Sequence, residues 1–280
     1  MEIDTKKSYS PPVDQLLTHE KAEVADAKDW PNYLDLGFGP EHIPDLIRMV
    51  TDEQLNNADS DSAEVWAPTH AWRALGQLRA EAAIEPLLSL FHTQEDSEWV
   101  GEELPEVFGM IGLAALPALK AYIADNSHGE WSRISAIGCV NQIGKLSSDA
   151  QTTCVHLLTE QLEQFHETEH EFNAFLIMAL AMEFKVVEAA PLMERAFAAQ
   201  AVDESIMGDW DEVQVKLGLK SREEVPHKSF QPLFDPSLLL PASDVEISSA
   251  SSSKSHSGGT STKKTRNKMA RQSRKKNRKR

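Results

Sequence analysis

Residues 64–91 read EVWAPTHAWRALGQLRAEAAIEPLLSLF, and this stretch decides the fold. Ala67, Ala71, Ala74, Leu75 and Leu78 recur at spacings of three and four, which puts apolar groups on one helix face. Ala83, Ile84, Leu87, Leu88 and Phe91 do the same a little further on. The pattern predicts two short helices in a hairpin. Neither helix can bury its stripe alone, so such a hairpin needs others stacked beside it.

The others are present. Trp66, Trp99 and Trp131 each stand nine positions before an apolar residue, respectively Leu75, Phe108 and Val140. The next apolar slot matches as well, with Leu78, Ile111 and Ile143. The second helices align on a proline in HIPDLIRMV from His42, AIEPLLSLF from Ala83, ALPALKAYI from Ala115 and AAPLMERAF from Ala189. Proline is cheap in a first helical turn, where its missing N–H would have had no partner. The third hairpin lacks it and opens its second helix after the cap-rich Leu146-Ser147-Ser148-Asp149. A period of about thirty to forty residues is that of helical repeats. The chain therefore reads as an all-α solenoid, with hairpins near 63–92, 97–126, 130–165 and 168–200.

ALGQLRAEAAIEPLL and FGMIGLAALPALKAYI carry a family resemblance. Each has a small-residue helix, a Gly/Ala turn and a proline-led second helix. Residues 40–200 resemble HEAT-type repeats of the short, phycobilin-lyase-type bacterial subclass, and Pro68 and Pro105 resemble the kink common in the first helix of such units. The resemblance implies a HEAT-like α-solenoid. It also implies an alternative function, that of a bilin lyase or related cofactor-attachment chaperone.

Around the repeats the chain divides into a lead-in and cap over 1–39, a second cap and extended segment over 201–241, and a tail over 242–280. The first dozen residues are polar and end in Pro11-Pro12, as a disordered lead-in would. Val13 to Ala27 reads as an amphipathic helix, and Trp30, Tyr33, Leu36 and Phe38 as cover for the open end of the stack. LGFGPEH around Gly37 has the glycines of a phosphate loop but no strand before it, and Gly39-Pro40 suits a turn before a helix. Thr51 to Gln54 reads as a capping box. Trp210 and Val213 are expected to dock the C-terminal cap on the last hairpin, and Phe230 to Leu240 supply an apolar run beyond it.

The formal net charge of −16 hides two opposite regions. From Ser248 onward there are 12 Lys or Arg and no Asp or Glu; the rest holds 16 of the 28 basic residues against all 44 acidic ones, giving −28. An acidic body with a basic, serine-linked tail is the strongest functional hint in the composition. The tail residues Lys263, Lys264, Arg266, Lys268, Arg271, Arg274, Lys275, Lys276, Arg278, Lys279 and Arg280 are the candidate contacts for RNA or another polyanion. Folding back onto the acidic body and a solubility or localisation role are the other two readings.

Two cysteines, Cys139 and Cys154, fall on the two helices of one hairpin; they make no metal-like pair, and such cysteine poverty fits a reducing cytoplasm. No apolar run is expected to span a membrane, and MEIDTKKSYSPP lacks the apolar core of a signal peptide. His166-Glu167-Thr168-Glu169-His170 spells the zinc-protease pattern, which works only within one continuous helix. Here Thr168 and Glu171 read as a capping box before Phe172, so the motif is expected to be a turn. No nucleophile elbow is present, and neither cysteine sits in a basic setting.

No cofactor is implied by these residues, and the expected function is non-catalytic: a cytoplasmic scaffold or adaptor for protein partners, with polyanion contact through the tail. The aligned tryptophans admit two readings. They pack in the seam between repeats, or Trp66, His70, Arg73, Trp99, Glu103 and Trp131 form a partner-binding stripe, Trp and Arg being common interface anchors. Trp72 is out of register and is expected to fill a gap between hairpins.

Overall fold

The computed structural model describes residues 9–225 apart from 20, 23–25, 60 and 96. The chain separates into one unit of Met1–Arg222 and another of Glu223–Arg280, and the α-helices of the described residues lie in the first. The apolar run from Phe230 to Leu240, the serine-rich stretch and the polybasic tail lie outside the described residues.

The described residues are helical and contain no strand. In chain order the α-helices are α1 (Ile43–Val50), α2 (Glu53–Asn56), α3 (Ala67–Gln77), α4 (Ile84–Thr93), α5 (Glu98–Ile111) and α6 (Leu116–Ala124). They continue with α7 (Glu130–Leu146), α8 (Ser148–Leu162), α9 (His170–Met178), α10 (Ala190–Ala198), α11 (Glu204–Met207) and α12 (Trp210–Leu217). Two successions of contacts organise them. Helix α3 packs on α5, α5 on α7 and α7 on α9, while α1 packs on α4, α4 on α6 and α6 on α8. Each member of the second row also touches the next member of the first, as α1 touches α3 and α6 touches α7.

The aligned prolines share a local structure. Before α1, α4, α6 and α10 the chain makes a 3₁₀ turn (Pro40–His42, Glu81–Ala83, Gly112–Ala115 and Val187–Ala189) that runs straight into the proline-bearing helix. Three of these turns begin from left-handed residues: Arg79 at φ 50°, Gly112 at φ 83° and Lys185 at φ 54°. At Arg79 the reversal is closed by Ala80 N–H donating to the Leu75 carbonyl at 3.0 Å, which satisfies a helix-end acceptor. Helix α8, which has no proline, instead starts on Ser147, whose side chain accepts from the Ala150 N–H.

The apolar slots face inward. Leu75, Phe108, Val140 and Ile143 are completely buried, and Ile111 nearly so. Leu78 caps α3 and is partly exposed. Helix α7 approaches α8 closely because Gly144 has no side chain: a Cβ there would lie 3.2 Å from the Cys154 Cβ and 2.7 Å from the Phe184 ring. Leu75→Ala is expected to destabilise the protein by about 2–5 kcal/mol, the usual cost of a buried large-to-small change. Chemical denaturation checks this, and a midpoint equal to wild type would mean the α3 register is wrong.

Several expectations need correction. Tyr9 is buried rather than part of a loose lead-in; its hydroxyl donates to Asp52 at 3.1 Å and the Arg48 guanidinium lies 4.4 Å from its ring centre. The expected helix at 13–27 is a 3₁₀ turn over Val13–Thr18, where Val13 and Leu16 alone carry its buried face. Trp30, Tyr33 and Phe38 are buried as cover, but Leu36 is exposed. Asp52, not Thr51, caps α2 by accepting from the Gln54 N–H at 3.0 Å. Thr168 does not cap α9; its hydroxyl donates to the Asn173 side chain at 2.7 Å, and Glu169 occupies the cap position. Pro68 sits in the first turn of α3, whereas Pro105 is truly inside α5.

One apolar stretch does reach membrane-spanning length: Trp99–Ala124 has 26 residues and a mean hydropathy of 1.7 in its most apolar part. The chain reverses within it at Gly112. Its two halves, α5 and α6, both pack on α4 and α7; α5 also meets α3, and α6 also meets α8. Its apolarity is that of helices with partners on several sides.

Candidate functional site

The polar residues proposed for a partner stripe are turned inward. Arg73 on α3 and Glu103 on α5 are 1% and 0% exposed. The guanidinium grips the carboxylate through Nε at 2.8 Å and Nη2 at 2.5 Å, and the Trp72 indole N–H adds a third donor at 2.9 Å. Arg73 also donates to the Ala22 carbonyl at 2.9 Å and lies 4.7 Å from the Trp30 ring centre. Burial pushes the Glu103 carboxyl up, while Arg73 and Trp72 pull it back. His70 is buried beside them, 2.6 Å from the Tyr33 hydroxyl and stacked on His19 at 4.6 Å. Gln77 finishes the seam by accepting from the Tyr33 N–H and donating to the Pro31 carbonyl, each at 2.8 Å. His70, Arg73 and Glu103 therefore hold the N-terminal segment, α3 and α5 together. They are not open to a partner, because an arginine on an inward helix face must find its carboxylate inside the molecule.

The tryptophans follow the seam reading. Trp66 and Trp99, both half-buried, meet edge to face at 5.2 Å, and the buried Trp131 meets Phe175 of α9 at 6.0 Å in the same manner. Such aromatic pairs add to the area they bury. Trp72 is buried and bridges α3 to α5, as its odd register suggests.

A second buried arginine was not anticipated. Arg133 on α7 is 1% exposed; it donates to the Ile123 carbonyl at 2.8 Å and to Glu169 at 3.2 Å, and lies 4.1 Å from the Phe172 ring centre. Asn173, completely buried, ties the region off by donating to the carbonyls of Phe165 and Ala201 at 3.0 and 2.9 Å. The signal was available: a lone arginine amid Ile134, Ala136 and Ile137 must either reach solvent or carry a buried bond.

The zinc-like motif is a turn. His166 to Glu169 precede α9, which begins at His170, so its histidines do not share one helix face. Cys139 and Cys154 are buried free thiols on α7 and α8. Burial pushes the Cys139 thiol well up and that of Cys154 up to about 11, so both are protonated and inert near neutral pH.

What the described surface does offer is an open cleft of about 670 Å³ where α3, α5 and α7 end. Gly76, Gly109, Met110, Ile111 and Gly112 form its floor, and Leu34, Leu113 and Leu146 stand on its rim. Those leucines are 48%, 50% and 59% exposed. Arg79, Asn32, Gln77 and Ser147 are its polar groups.

No family model, curated protein or solved structure matches this chain.

Function must therefore be read from the cleft and from charge. A smaller recess of about 380 Å³ beside α10 and α12 is lined by Phe197, Trp210 and four carboxylates, Glu194, Glu204, Asp209 and Asp211. Trp210 and Phe197 meet there at 5.8 Å, and Val213 is completely buried, so the C-terminal cap docks as expected. Asp209 caps α12 and Asp211 pairs with Lys220 at 2.7 Å, which accounts for two of the four carboxylates structurally.

Proposed function

We propose that this chain is a non-catalytic, HEAT-like adaptor of the cytoplasm, whose helical body binds a protein partner while its basic tail contacts RNA or a similar polyanion. The exposed leucine rim of the cleft carries the reading. Three large apolar side chains about half exposed around one concave, glycine-floored recess leave apolar surface that a partner would cover. Gly112 has open space where a Cβ would stand, whereas Gly76 and Gly109 let α3, α5 and α7 approach one another closely and so shape the recess. Charge supports the second half: a body of −28 against a tail of twelve cations suits one chain to two unlike partners.

The test is a paired substitution on the rim, Leu113→Asp with Leu146→Asp. Both residues are exposed, so the denaturation midpoint should move by no more than about 0.5 kcal/mol per site in stability. Proteins captured by the full chain should be lost from the double variant. Retention of every captured protein would remove the cleft from the mechanism.

A further inference from the structure

Helix α7 meets α9 at a cluster of three carboxylates around one buried cation. Glu130 opens α7, Glu169 and Glu171 flank the start of α9, and Arg133 lies one turn along α7. Arg133 is already committed to the Ile123 carbonyl, the Phe172 ring and Glu169. Glu130 is left with a buried Oε1 that has no hydrogen-bond partner. A carboxylate in that position is costly when ionised, because it is desolvated and faces two like charges.

We propose that the α7–α9 contact is a proton-operated latch, closed when Glu130 is protonated and loosened when it ionises. The surrounding groups favour this assignment. Glu171 in the first turn of α9 and Glu169 at its cap act on Glu130 as like charges, and Arg133 of α7 as the opposite one. Glu95, in the loop after α4, has a carboxylate oxygen 3.4 Å from where a Cβ on Gly129 would stand, while Asp125 and His128 in the turn before α7 pair with each other. Carboxylates thus outnumber the cation. Burial, then Glu171 and Glu169, push the Glu130 carboxyl up to about 7, against the pull of the Phe172 N–H and Arg133.

The sign follows. A carboxyl raised in the closed form binds protons there that the open form has released, so closure is favoured at low pH. The contribution is complete below the ordinary carboxylate range and is lost as pH rises to about 7.

Directly behind the latch lie the joints of the last helices. The Asn173 N–H donates to the Glu169 carbonyl at 3.0 Å, the first bond of α9; its side chain donates to the Ala201 carbonyl, and the Asp203 N–H donates to the His170 carbonyl at 3.1 Å. Loosening α9 at its first turn therefore frees the segment leading to α11 and α12. This device is separate from the leucine-rimmed cleft and holds whether or not that cleft binds a partner.

Hydrogen exchange on the full chain tests it, with rates corrected for the intrinsic effect of pH. Protection of α9 amides should fall about tenfold between pH 6 and pH 8 in the wild type, the linkage expected of one carboxyl titrating near 7 against an ordinary one. Glu130→Gln, neutral at every pH, should show no such fall and should be better protected than wild type at pH 8. Glu171→Gln removes a like charge and should reduce the fall. Equal protection of the wild type at both pH values would overturn the latch. So would a Glu130→Gln variant that keeps the wild-type fall; should that variant not fold, an undiminished fall in Glu171→Gln decides against it instead.

Discussion

Glu103→Ala is expected to cost about 3–5 kcal/mol of stability, in the upper part of the range for a large apolar deletion in the core. The reason is what the substitution leaves behind. Arg73 is 1% exposed, so its charge cannot turn to water when the carboxylate is gone. The Trp72 indole N–H loses its acceptor at the same time. A buried cation without its partner is far more expensive than the absence of both charges. Replacing the pair together, Arg73→Met with Glu103→Leu, should therefore recover much of the loss. Recovery should stop short of wild type, because Arg73 also holds the Ala22 carbonyl and lies over Trp30. Urea denaturation of the single and double variants measures both terms. A single variant within about 1 kcal/mol of wild type would show that solvent reaches Arg73 after all.

That seam also shows how far the amino-acid pattern carries. Helix positions were legible because they depend on local periodicity and on proline in a first turn, and both are written in order along the chain. Leu75, Phe108 and Val140 were placed in the core by spacing alone, and all three are there. The partner of Arg73 was not legible, since Glu103 lies thirty positions away on another helix and nothing local distinguishes it from Glu102 or Glu106. The same ambiguity made His70, Arg73 and Glu103 look like a surface stripe: a polar residue reads as exposed until its buried partner is known. Tyr9 failed for a related reason. Its neighbours are polar, and only Asp52 and Arg48, about forty positions on, explain its burial. The cleft is a tertiary feature in the same sense. Leu34 lies in a turn of the N-terminal segment, Leu113 in the 3₁₀ turn before α6 and Leu146 at the end of α7, and each alone reads as a stray apolar residue.

Removing Lys263 to Arg280 is expected to abolish RNA binding rather than halve it. The segment holds eleven of the twelve cations found from Ser248 onward, and the remainder of the chain repels a polyanion through its excess of acidic residues. Binding by the full chain should weaken steeply with salt, because each neutralised phosphate releases a counterion. If six to ten of the cations engage, affinity should drop by about 10³–10⁵ between roughly 50 and 200 mM salt. Sequence preference should be slight. Phosphate contacts carry no base information, and Lys263 to Arg280 contain no aromatic residue on which a base could stack. Fluorescence anisotropy with a labelled single-stranded RNA, measured at several salt concentrations for the full and truncated chains, reads all three quantities. Equal binding by the truncated chain would move the RNA site onto the helical body, where the charge balance argues most strongly against it. No binding by either chain would remove polyanion contact from the proposed function and leave the leucine-rimmed cleft to carry the adaptor role alone.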